Sequence, residues 1–552
     1  MHSFITRSFV YSLCSLSAFA VKIPFSVNVA NARGRPNTHV VRQSSSSGSL
    51  PVGNTQNAFY YSNITLGGRT ISVMLDTGSS DLWVTGSVPG AQDTGESLTL
   101  SYAVGNAAGD VYTAPFQVGG YSVDNQAFLL VSNTSSFSTN IHSEGYDGLI
   151  GLGPNSGSSI YKKLSGDSGN NAINRIFQQN PSNSDDYITL MLNRNGDPGD
   201  QQISGHFTIS ELVPGFDNIT SMPQMPVEKV YKVTDEDQHW QLLTDKNIGV
   251  IGPDGQPIQT SSIVPKAPDG QLVAVLDSGF TLPQVPRSIS DAIYGRVQGA
   301  EWSTSSQAWL VPCEQLINVT LNFGGVSYPV HPLDVSSSDF GVTFSNGSPA
   351  CLGTFQPISS AFSLLGEYDM ILGMAFLRNT YTLINYGNMV EGGSNSNNPY
   401  IQLLPLTNEA AAVNDFIQVR TGGQNLINSP EYSLLPSSQQ QHSPESAQEK
   451  KQHYEEQVLS RWPYILAGCL VFVALFVGFC VWRCCRRRRL LAAKKQSATQ
   501  QKPGMLPGGT NSSSYAPLHD SRSTASLVMQ PIRNSTLEFK EEYGKDAFRS
   551  SH

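Results

Sequence analysis

The chain has 552 residues, of which 14% are charged and 39% hydrophobic, and its formal net charge is −9. This length exceeds what one simple core needs and suits a large domain with additional segments. An acidic chain argues against a nucleic-acid-binding protein, whose footprint would be basic.

The N-terminus has the pattern of a secretory signal peptide at residues 1–20. Arg7 supplies the positive charge, an apolar stretch follows, and the segment ends in Ala18-Phe19-Ala20, which resembles a cleavage site. The next segment, 21–55, is polar and rich in Ser and Gly, which is typical of a processed or disordered N-terminal segment. A signal peptide predicts that the mature chain enters the secretory pathway.

From residue 56 onward, short apolar or alternating runs are separated by Gly, Asn, Asp and Pro. This pattern predicts strands and turns, and its extent predicts a large, mostly β body. We place two lobes in it, at 56–225 and 226–408. The following segment, 409–461, is rich in Gln, Ser, Asn and Glu, and we expect a disordered stalk there.

Residues 462–482 form an apolar run without a charged residue, long enough to span a bilayer as a helix. Trp462, Tyr464 and Trp482 stand where interfacial aromatic residues are expected. Five arginines follow within seven residues, so we expect a type I orientation with a cytosolic, basic and disordered tail at 483–552. A buried core helix is the alternative, which the flanking charges disfavour.

Two runs about two hundred residues apart carry the chemistry. In each, an apolar strand ends in an acid, a small hydroxyl residue and a glycine: Asp76-Thr77-Gly78 and Asp277-Ser278-Gly279. The duplication predicts two similar lobes that each deliver one carboxyl group to a shared centre. Two carboxyls in contact share a proton, and such a pair can activate water for peptide hydrolysis.

With these motifs and several others in the same order, residues 58–406 resemble the pepsin-like aspartic endopeptidases, and the stalk, span and basic tail resemble membrane-anchored fungal members. The resemblance implies an all-β, bilobal fold with a cleft between the lobes. It requires no metal and no organic cofactor. The motifs are Tyr60-Tyr61, residues 76–84, Ser101-Tyr102, residues 145–153, residues 239–242, residues 277–279 and residues 371–378.

The resemblance assigns Asp76 and Asp277 as the catalytic dyad. Thr77, Ser278, Gly78 and Gly279 support it, because a glycine permits a tight turn and a close approach of the opposite lobe. Ser79 is expected to donate a hydrogen bond to the outer oxygen of Asp76. Tyr102 and Gly105 belong to the flap that covers the substrate, and Trp83 is expected to support Tyr102 from behind.

Two positions depart from the family pattern. Phe280 stands where the family usually has Thr or Ser, so a hydroxyl donor to Asp277 is absent. We expect this loss to raise the pKa of the acid limb and to shift the pH optimum upward. The flap sequence, residues 102–105, lacks the usual Gly and polar residue after the tyrosine, which affects specificity more than activity.

Covalent features are also predicted. An isolated pair of cysteines in an oxidising compartment, Cys313 and Cys351, predicts one disulfide, and the pair matches the family's second-lobe disulfide in place. Glycosylation sequons begin at Asn63, Asn133, Asn218, Asn318 and Asn346.

The sequence thus predicts a monomeric type I membrane protein whose catalytic domain lies outside the cytosol, at the plasma membrane or in a vacuole or endosome. Its expected activity is aspartic endopeptidase, and its expected partners are extended polypeptide substrates and the lipid bilayer, without nucleic acid. A catalytically silent membrane protein that binds peptides is the alternative, supported by Phe280 and the altered flap.

Overall fold

The computed structural model describes residues 49–498, except 56, 103–104, 135–136, 138–140, 165, 180–185, 195–204, 231–237, 265, 359–366, 394 and 446. The predicted signal peptide, residues 21–48 of the N-terminal segment and residues 499–552 of the tail lie outside these described residues. Contacts divide the chain into one unit up to Pro463 and a second from Tyr464 onward.

The first lobe is built on an eight-stranded sheet. Alternation explains how such strands form: in Phe59–Leu66, every second side chain is buried, so one face of the strand joins the core. In spatial order the strands are Gly53–Thr55, Phe59–Leu66, Arg69–Asp76, Gly148–Gly151, Leu82–Thr85, Tyr121–Asn133, Gly105–Val118 and Gln92–Tyr102.

A six-stranded sheet joins strands from both halves of the chain. It contains Tyr187–Leu192 from the first half, paired in antiparallel fashion with Thr380–Asn385 from the second half. The complete order is Ser49–Pro51, Gly205–Ile209, Tyr187–Leu192, Thr380–Asn385, Tyr400–Pro405 and Met225–Pro226. Because the strand Ser49–Pro51 lies in this sheet, ordered structure begins before residue 56, where the sequence analysis placed the first lobe.

The second lobe contains three smaller sheets, and the first of them carries Asp277. Its strands are Gln241–Leu243, Val273–Leu276, Met370–Leu372, Gln284–Val285 and Gln356–Pro357. The other two sheets are Val250–Ile251, Val319–Phe323 and Val326–Val330, and then Glu301–Ser303, Ala308–Val311, Cys351–Gly353 and Ser336–Ser337.

Helices are short within this body. The α-helices are Ser159–Leu164, Ala172–Phe177, Arg287–Tyr294, Pro332–Val335, Met374–Leu377 and Glu409–Thr421, followed by the long helix Ala447–Ala498. Short 3-10 helices are Ile141–Glu144, Asn155–Gly157, Asp167–Gly169, Asp217–Ser221, Gly387–Met389, Pro430–Tyr432 and Ser437–Gln439. The predominance of strands agrees with the predicted all-β class.

Asp334 joins the two lobes through arginines from both. Arg194, just after a first-lobe strand, and Arg378, from the second lobe, both bind the buried Asp334 carboxylate, and Arg378 also donates to the backbone carbonyl of Asn57 at 2.8 Å. These two cations lower the pKa of Asp334 to about 2, against the effect of burial. A buried carboxylate is tolerated here because it is paired on both sides.

The predicted disordered stalk at 409–461 is wrong for its first part. Residues 409–421 form a helix that Asn408 caps by accepting from the Ala411 N–H at 3.0 Å, and Ala412, Phe416 and Ile417 are buried. These apolar residues recur at helical spacing, a periodicity that the polar composition of the segment obscured. Residues 430–443 also contact the second lobe, as described below.

The apolar segment near the C-terminus is helical. One helix of the described residues is long and apolar enough to cross a membrane, over Leu466–Leu491, with mean hydropathy 2.2. It covers residues 466–482 of the predicted span 462–482 and continues through the arginine run. Because the helix continues past Trp482, its end does not show where a membrane span would end. The boundary at 482 therefore remains a prediction.

Candidate active site

The two acidic motifs end equivalent strands. Asp76 closes the strand Arg69–Asp76, which pairs in parallel with Gly148–Gly151. Asp277 follows Val273–Leu276, which pairs in parallel with Met370–Leu372. Each carboxyl group therefore leaves its sheet at the end of a buried strand beside a parallel partner.

A reciprocal set of hydrogen bonds fixes the two loops against each other. The Thr77 hydroxyl donates to the Leu276 carbonyl at 2.9 Å and accepts from the Ser278 N–H at 2.9 Å. The Ser278 hydroxyl likewise donates to the Leu75 carbonyl at 2.7 Å and accepts from the Thr77 N–H at 3.0 Å. Small hydroxyl residues serve here because each must both donate and accept in a buried space.

The glycines allow the carboxyl groups to meet. A Cβ placed on Gly78 would lie 2.1 Å from an oxygen of Asp277, and one on Gly279 would lie 2.4 Å from an oxygen of Asp76. Any side chain at either position would collide with the opposite carboxyl. Asp76 and Asp277 are only 4% and 8% exposed, and each carboxyl lies against the glycine of the opposite loop.

The donors around the two carboxyls differ. Asp76 accepts from the Gly78 N–H at 2.9 Å and from the Ser79 hydroxyl at 2.5 Å. Asp277 accepts from the Gly279 N–H at 2.7 Å, and Phe280 has no hydroxyl to offer. The structure therefore places Ser79 against the outer oxygen of Asp76 and leaves the equivalent position beside Asp277 without a side-chain donor.

The pKa values of the two carboxyl groups also differ. Burial raises the pKa of Asp76, and the hydrogen bonds from Ser79 and Gly78 oppose that rise. Burial and the neighbouring Asp76 charge raise the pKa of Asp277 well above its ordinary value, and backbone N–H groups offset only part of this. Asp277 is thus the carboxyl that favours the proton, and Asp76 the one that favours ionisation.

The effect expected of Phe280 consequently falls on a different limb of the pH profile. The sequence analysis assigned it to the acid limb. Because the pKa of Asp277 is the more strongly raised of the two, we expect a missing donor beside it to raise the pKa of the pair's second deprotonation, and with it the alkaline limb of the pH profile.

A hairpin carries the tyrosine expected in the flap. Tyr102 ends the strand Gln92–Tyr102 and pairs with Gly105, the first residue of the next strand. Burial and the charges of Asp76 and Asp81 raise the pKa of Tyr102, so its hydroxyl remains neutral. Trp83 is buried behind it, with ring centroids 6.5 Å apart.

The sequence analysis missed two residues around this hairpin. Phe137 packs 5.7 Å from the Trp83 ring and 6.5 Å from the Tyr102 ring, and no motif surrounds it that could have indicated this. Asp81 is buried and accepts from the Ser159 and Ile160 N–H groups at 2.9 and 3.0 Å, which anchors the helix Ser159–Leu164. Asp81 lies close to Asp76 in the sequence and could have been noticed as an acid near the motif. Its partners, however, lie almost eighty residues further along the chain.

The remaining predicted residues lie away from the dyad. A disulfide joins Cys313 and Cys351, as the resemblance implies. The side chains of Asn63, Asn218, Asn318 and Asn346 are exposed, and that of Asn133 is outside the described side chains. Their glycosylation stays a prediction.

Comparison with known proteins agrees with this geometry. The model of the eukaryotic aspartyl protease family matches residues 87–392, a range that includes Asp277 and begins downstream of Asp76. The chain therefore belongs to the eukaryotic aspartyl protease family. It has the pepsin-like fold, and its enzyme class is aspartic endopeptidase.

Fungal proteins are among its relatives. Major aspartyl peptidase 1 of Cryptococcus neoformans is 24% identical over 354 residues, which cover 60% of this chain and 67% of that protein. Aspartic-type endopeptidase ctsD of Aspergillus fumigatus is 25% identical, covering 64% of this chain and 69% of the relative. The solved aspartic proteinase from Irpex lacteus is 17% identical with a TM-score of 0.49, and the match covers 65% of this chain and 97% of that one.

Proposed function

We propose that this chain hydrolyses peptide bonds with a water molecule activated by Asp76 and Asp277. The observation that carries the proposal is the reciprocal Thr77–Ser278 network, which holds the loops of the two buried carboxyl groups against each other. The family membership gives the enzyme class, and this pair gives the reacting groups.

The unequal pKa values assign the roles. The Asp76 carboxylate accepts a proton from water as the resulting hydroxide bonds to the scissile carbonyl carbon. Asp277 gives its proton to the carbonyl oxygen, so the intermediate carries two hydroxyl groups. When the C–N bond breaks, the proton on Asp76 moves to the departing amine and one hydroxyl proton returns to Asp277, which restores the starting state.

The flap residues support the same proposal. Tyr102, backed by Trp83 and Phe137, would cover a substrate bound between the lobes and exclude water. The substrate class is an extended polypeptide that adds like a strand, with hydrophobic side chains beside the cut bond as the family default.

Membrane anchoring is the second part of the proposal. The helix over Leu466–Leu491 is apolar, and its side chains are exposed. With the predicted signal peptide and the arginine run after it, this supports a type I orientation with the catalytic unit outside the cytosol. Resistance of the full chain to alkaline extraction would support the anchor. In sealed microsomes, added protease should digest a tag on the C-terminus and leave the catalytic unit protected.

Cleavage of a random peptide library by the purified full chain between pH 2.5 and 7 tests the activity. Pepstatin and an Asp76→Asn chain serve as controls. Pepstatin-sensitive cleavage that the variant lacks is the expected result. Peptide binding without cleavage at any pH, by folded and N-terminally processed protein, would favour the catalytically silent alternative.

A further inference from the structure

The segment after the helix Glu409–Thr421 returns to the surface of the second lobe. We call residues 430–443 the strap. They lie beyond the range that the family model matches, 87–392, and beyond the last strand, Tyr400–Pro405. They contact the helix Arg287–Tyr294, which we call the docking helix, and the next two residues, Gly295 and Arg296, which we call the docking turn.

Backbone groups at two points of the strap bond to the docking turn. The Leu435 N–H donates to the Arg296 carbonyl at 2.8 Å, and the Gln441 N–H donates to the Gly295 carbonyl at 2.8 Å. The Arg296 side chain returns a bond from Nε to the Leu435 carbonyl at 2.7 Å. Both ends of the strap's central part are thereby fixed to consecutive residues of the second lobe.

Two glutamines of the lobe bind the first part of the strap. Gln298 Nε2 donates to the carbonyls of Pro430 and Ser433 at 3.1 and 2.9 Å. Gln315, which is buried, donates from Nε2 to the Tyr432 carbonyl at 2.9 Å. All three bonds end on backbone carbonyl groups, so they fix the position of the strap backbone.

The end of the strap completes the environment of a buried carboxylate. Asp291 accepts from the Ser443 N–H at 3.1 Å, from the Ser443 hydroxyl at 2.6 Å and from Trp309 Nε1 at 3.2 Å. His442 Nδ1 lies 3.4 Å from its second oxygen. Without the strap, Asp291 would keep the Trp309 bond and lose the others, and a buried carboxylate with few donors is unfavourable.

The Ser443 hydroxyl is itself held from two sides. It donates to Asp291 and accepts from Arg287 Nη1 at 2.6 Å, so it bridges an acid and a base one turn apart on the docking helix. Ser443 is only 6% exposed. A serine buried in this way within a polar segment indicates a formed contact.

Gly295 allows the strap to approach. Its φ of −65° is open to any residue, so backbone conformation does not require glycine there. A Cβ on it would lie 2.2 Å from the Gln441 carbonyl oxygen and 2.6 Å from that of Asp291. The first of these contacts belongs to the strap.

We propose that the docking helix and docking turn form an intramolecular binding surface for the strap, so that the catalytic body extends to Ser443. The connection to the apolar helix then begins at residue 444, and a chain cut before the strap should remain one assembly. The proposal does not depend on the catalytic role of the dyad.

A cut placed upstream of the strap tests it in the full chain. A recognition sequence for a site-specific protease is inserted between Gln424 and Asn425, which are both exposed. After cleavage in detergent, the C-terminal fragment is captured through a C-terminal tag. We expect the catalytic fragment to be captured with it in near-equal amount, although the backbone is cut.

Variants of the strap show whether these contacts hold the fragments. Ser443→Ala removes the bridging hydroxyl, and Gln441→Pro removes the N–H that binds Gly295, so both should reduce capture several-fold. Ser438→Ala changes an exposed serine of the same strap and should leave capture unchanged.

Release of the catalytic fragment at the first wash of the unmodified strap would overturn the proposal, as would full capture in both Ser443→Ala and Gln441→Pro. Capture is measured without substrate. An inactive parent chain would therefore count against the proposed catalysis and leave the strap result intact.

Discussion

The loop that carries Asp76 and the loop that carries Asp277 follow the same backbone plan, yet only the first supplies a side-chain hydroxyl to its carboxyl group. Both end a strand beside a parallel partner, and Thr77 and Ser278 exchange equivalent bonds. Ser79 then donates to Asp76, whereas Phe280 offers no such group to Asp277. Equivalent folding thus places the carboxyls together, and the unequal donors decide which one holds the proton.

The largest effect should come from removing either carboxyl of the pair. Asp76→Asn and Asp277→Asn keep the shape of the side chain but cannot exchange the proton. We expect each to lower kcat/KM for peptide cleavage by at least about 10³-fold, since acid–base catalysis by such groups contributes roughly 10²–10⁴. Initial rates on one peptide substrate, measured for both variants, check this.

Stability distinguishes a folded inactive variant from a misfolded one. The pKa of Asp277 is raised in the folded state, so the folded protein holds a proton that the unfolded chain releases above about pH 4. The contribution of Asp277 to wild-type stability therefore falls as the pH rises from about 4 toward neutrality. Asp277→Asn lacks this loss, and its Tm relative to wild type should rise with pH. A Tm difference between variant and wild type that stays constant or falls between pH 4 and 7 would contradict the assigned proton.

His331, which lies close to the contact between the lobes, should make the stability of the protein depend on low pH. His331 of the second lobe accepts from the Leu333 N–H through Nδ1 at 3.2 Å, and its Nε2 lies 3.2 Å from Asp415. Protonation of Nδ1 would set two donors against each other. Burial and Arg194 lower the pKa of His331 to about 4, although Asp334 and Asp415 oppose the shift.

The lowered pKa of His331 determines how stability changes with pH. Between about pH 6.5 and 4 the unfolded chain binds the proton and the folded chain does not, so the stability supplied by neutral His331 is lost as the pH falls. His331→Asn retains an acceptor for Leu333 and does not titrate. The free energy of unfolding of wild type should drop by up to about 3 kcal/mol more than that of the variant across this range. Denaturant titrations at pH 7 and 4 measure it, and parallel losses in the two proteins would show that His331 does not titrate as described.

The sequence predicted the fold class and the position of the dyad because both depend on local patterns. An apolar strand followed by Asp-Thr/Ser-Gly defines a buried carboxyl on a tight turn, and its repetition implies a paired centre. Phe137 and Asp334 could not be found in this way, since their roles come from partners distant in the chain.

The strap shows why the predicted stalk was wrong. Most of its bonds to the lobe use backbone N–H and carbonyl groups, which every non-proline residue has. Composition therefore carries little information about them. The side chains of Ser433, His442 and Ser443 are the exceptions, but such residues do not stand out in a Ser- and Gln-rich segment.

The smallest effect, and the most direct test of the difference between the loops, comes from restoring a hydroxyl at position 280. Phe280→Thr and Phe280→Val introduce side chains of the same shape that differ in that hydroxyl. A donor to the ionised Asp277 lowers its pKa. The alkaline limb of kcat/KM should therefore lie about one pH unit lower in the Thr variant than in the Val variant, which corresponds to about 1.4 kcal/mol. Ser79→Ala makes the opposite change in the first loop and should raise the acid limb, because Asp76 loses its donor. If the Thr and Val profiles coincide while Ser79→Ala still shifts its limb, position 280 does not reach Asp277. The asymmetry of the pair then arises from the Ser79 bond, burial and mutual repulsion, without a contribution from position 280.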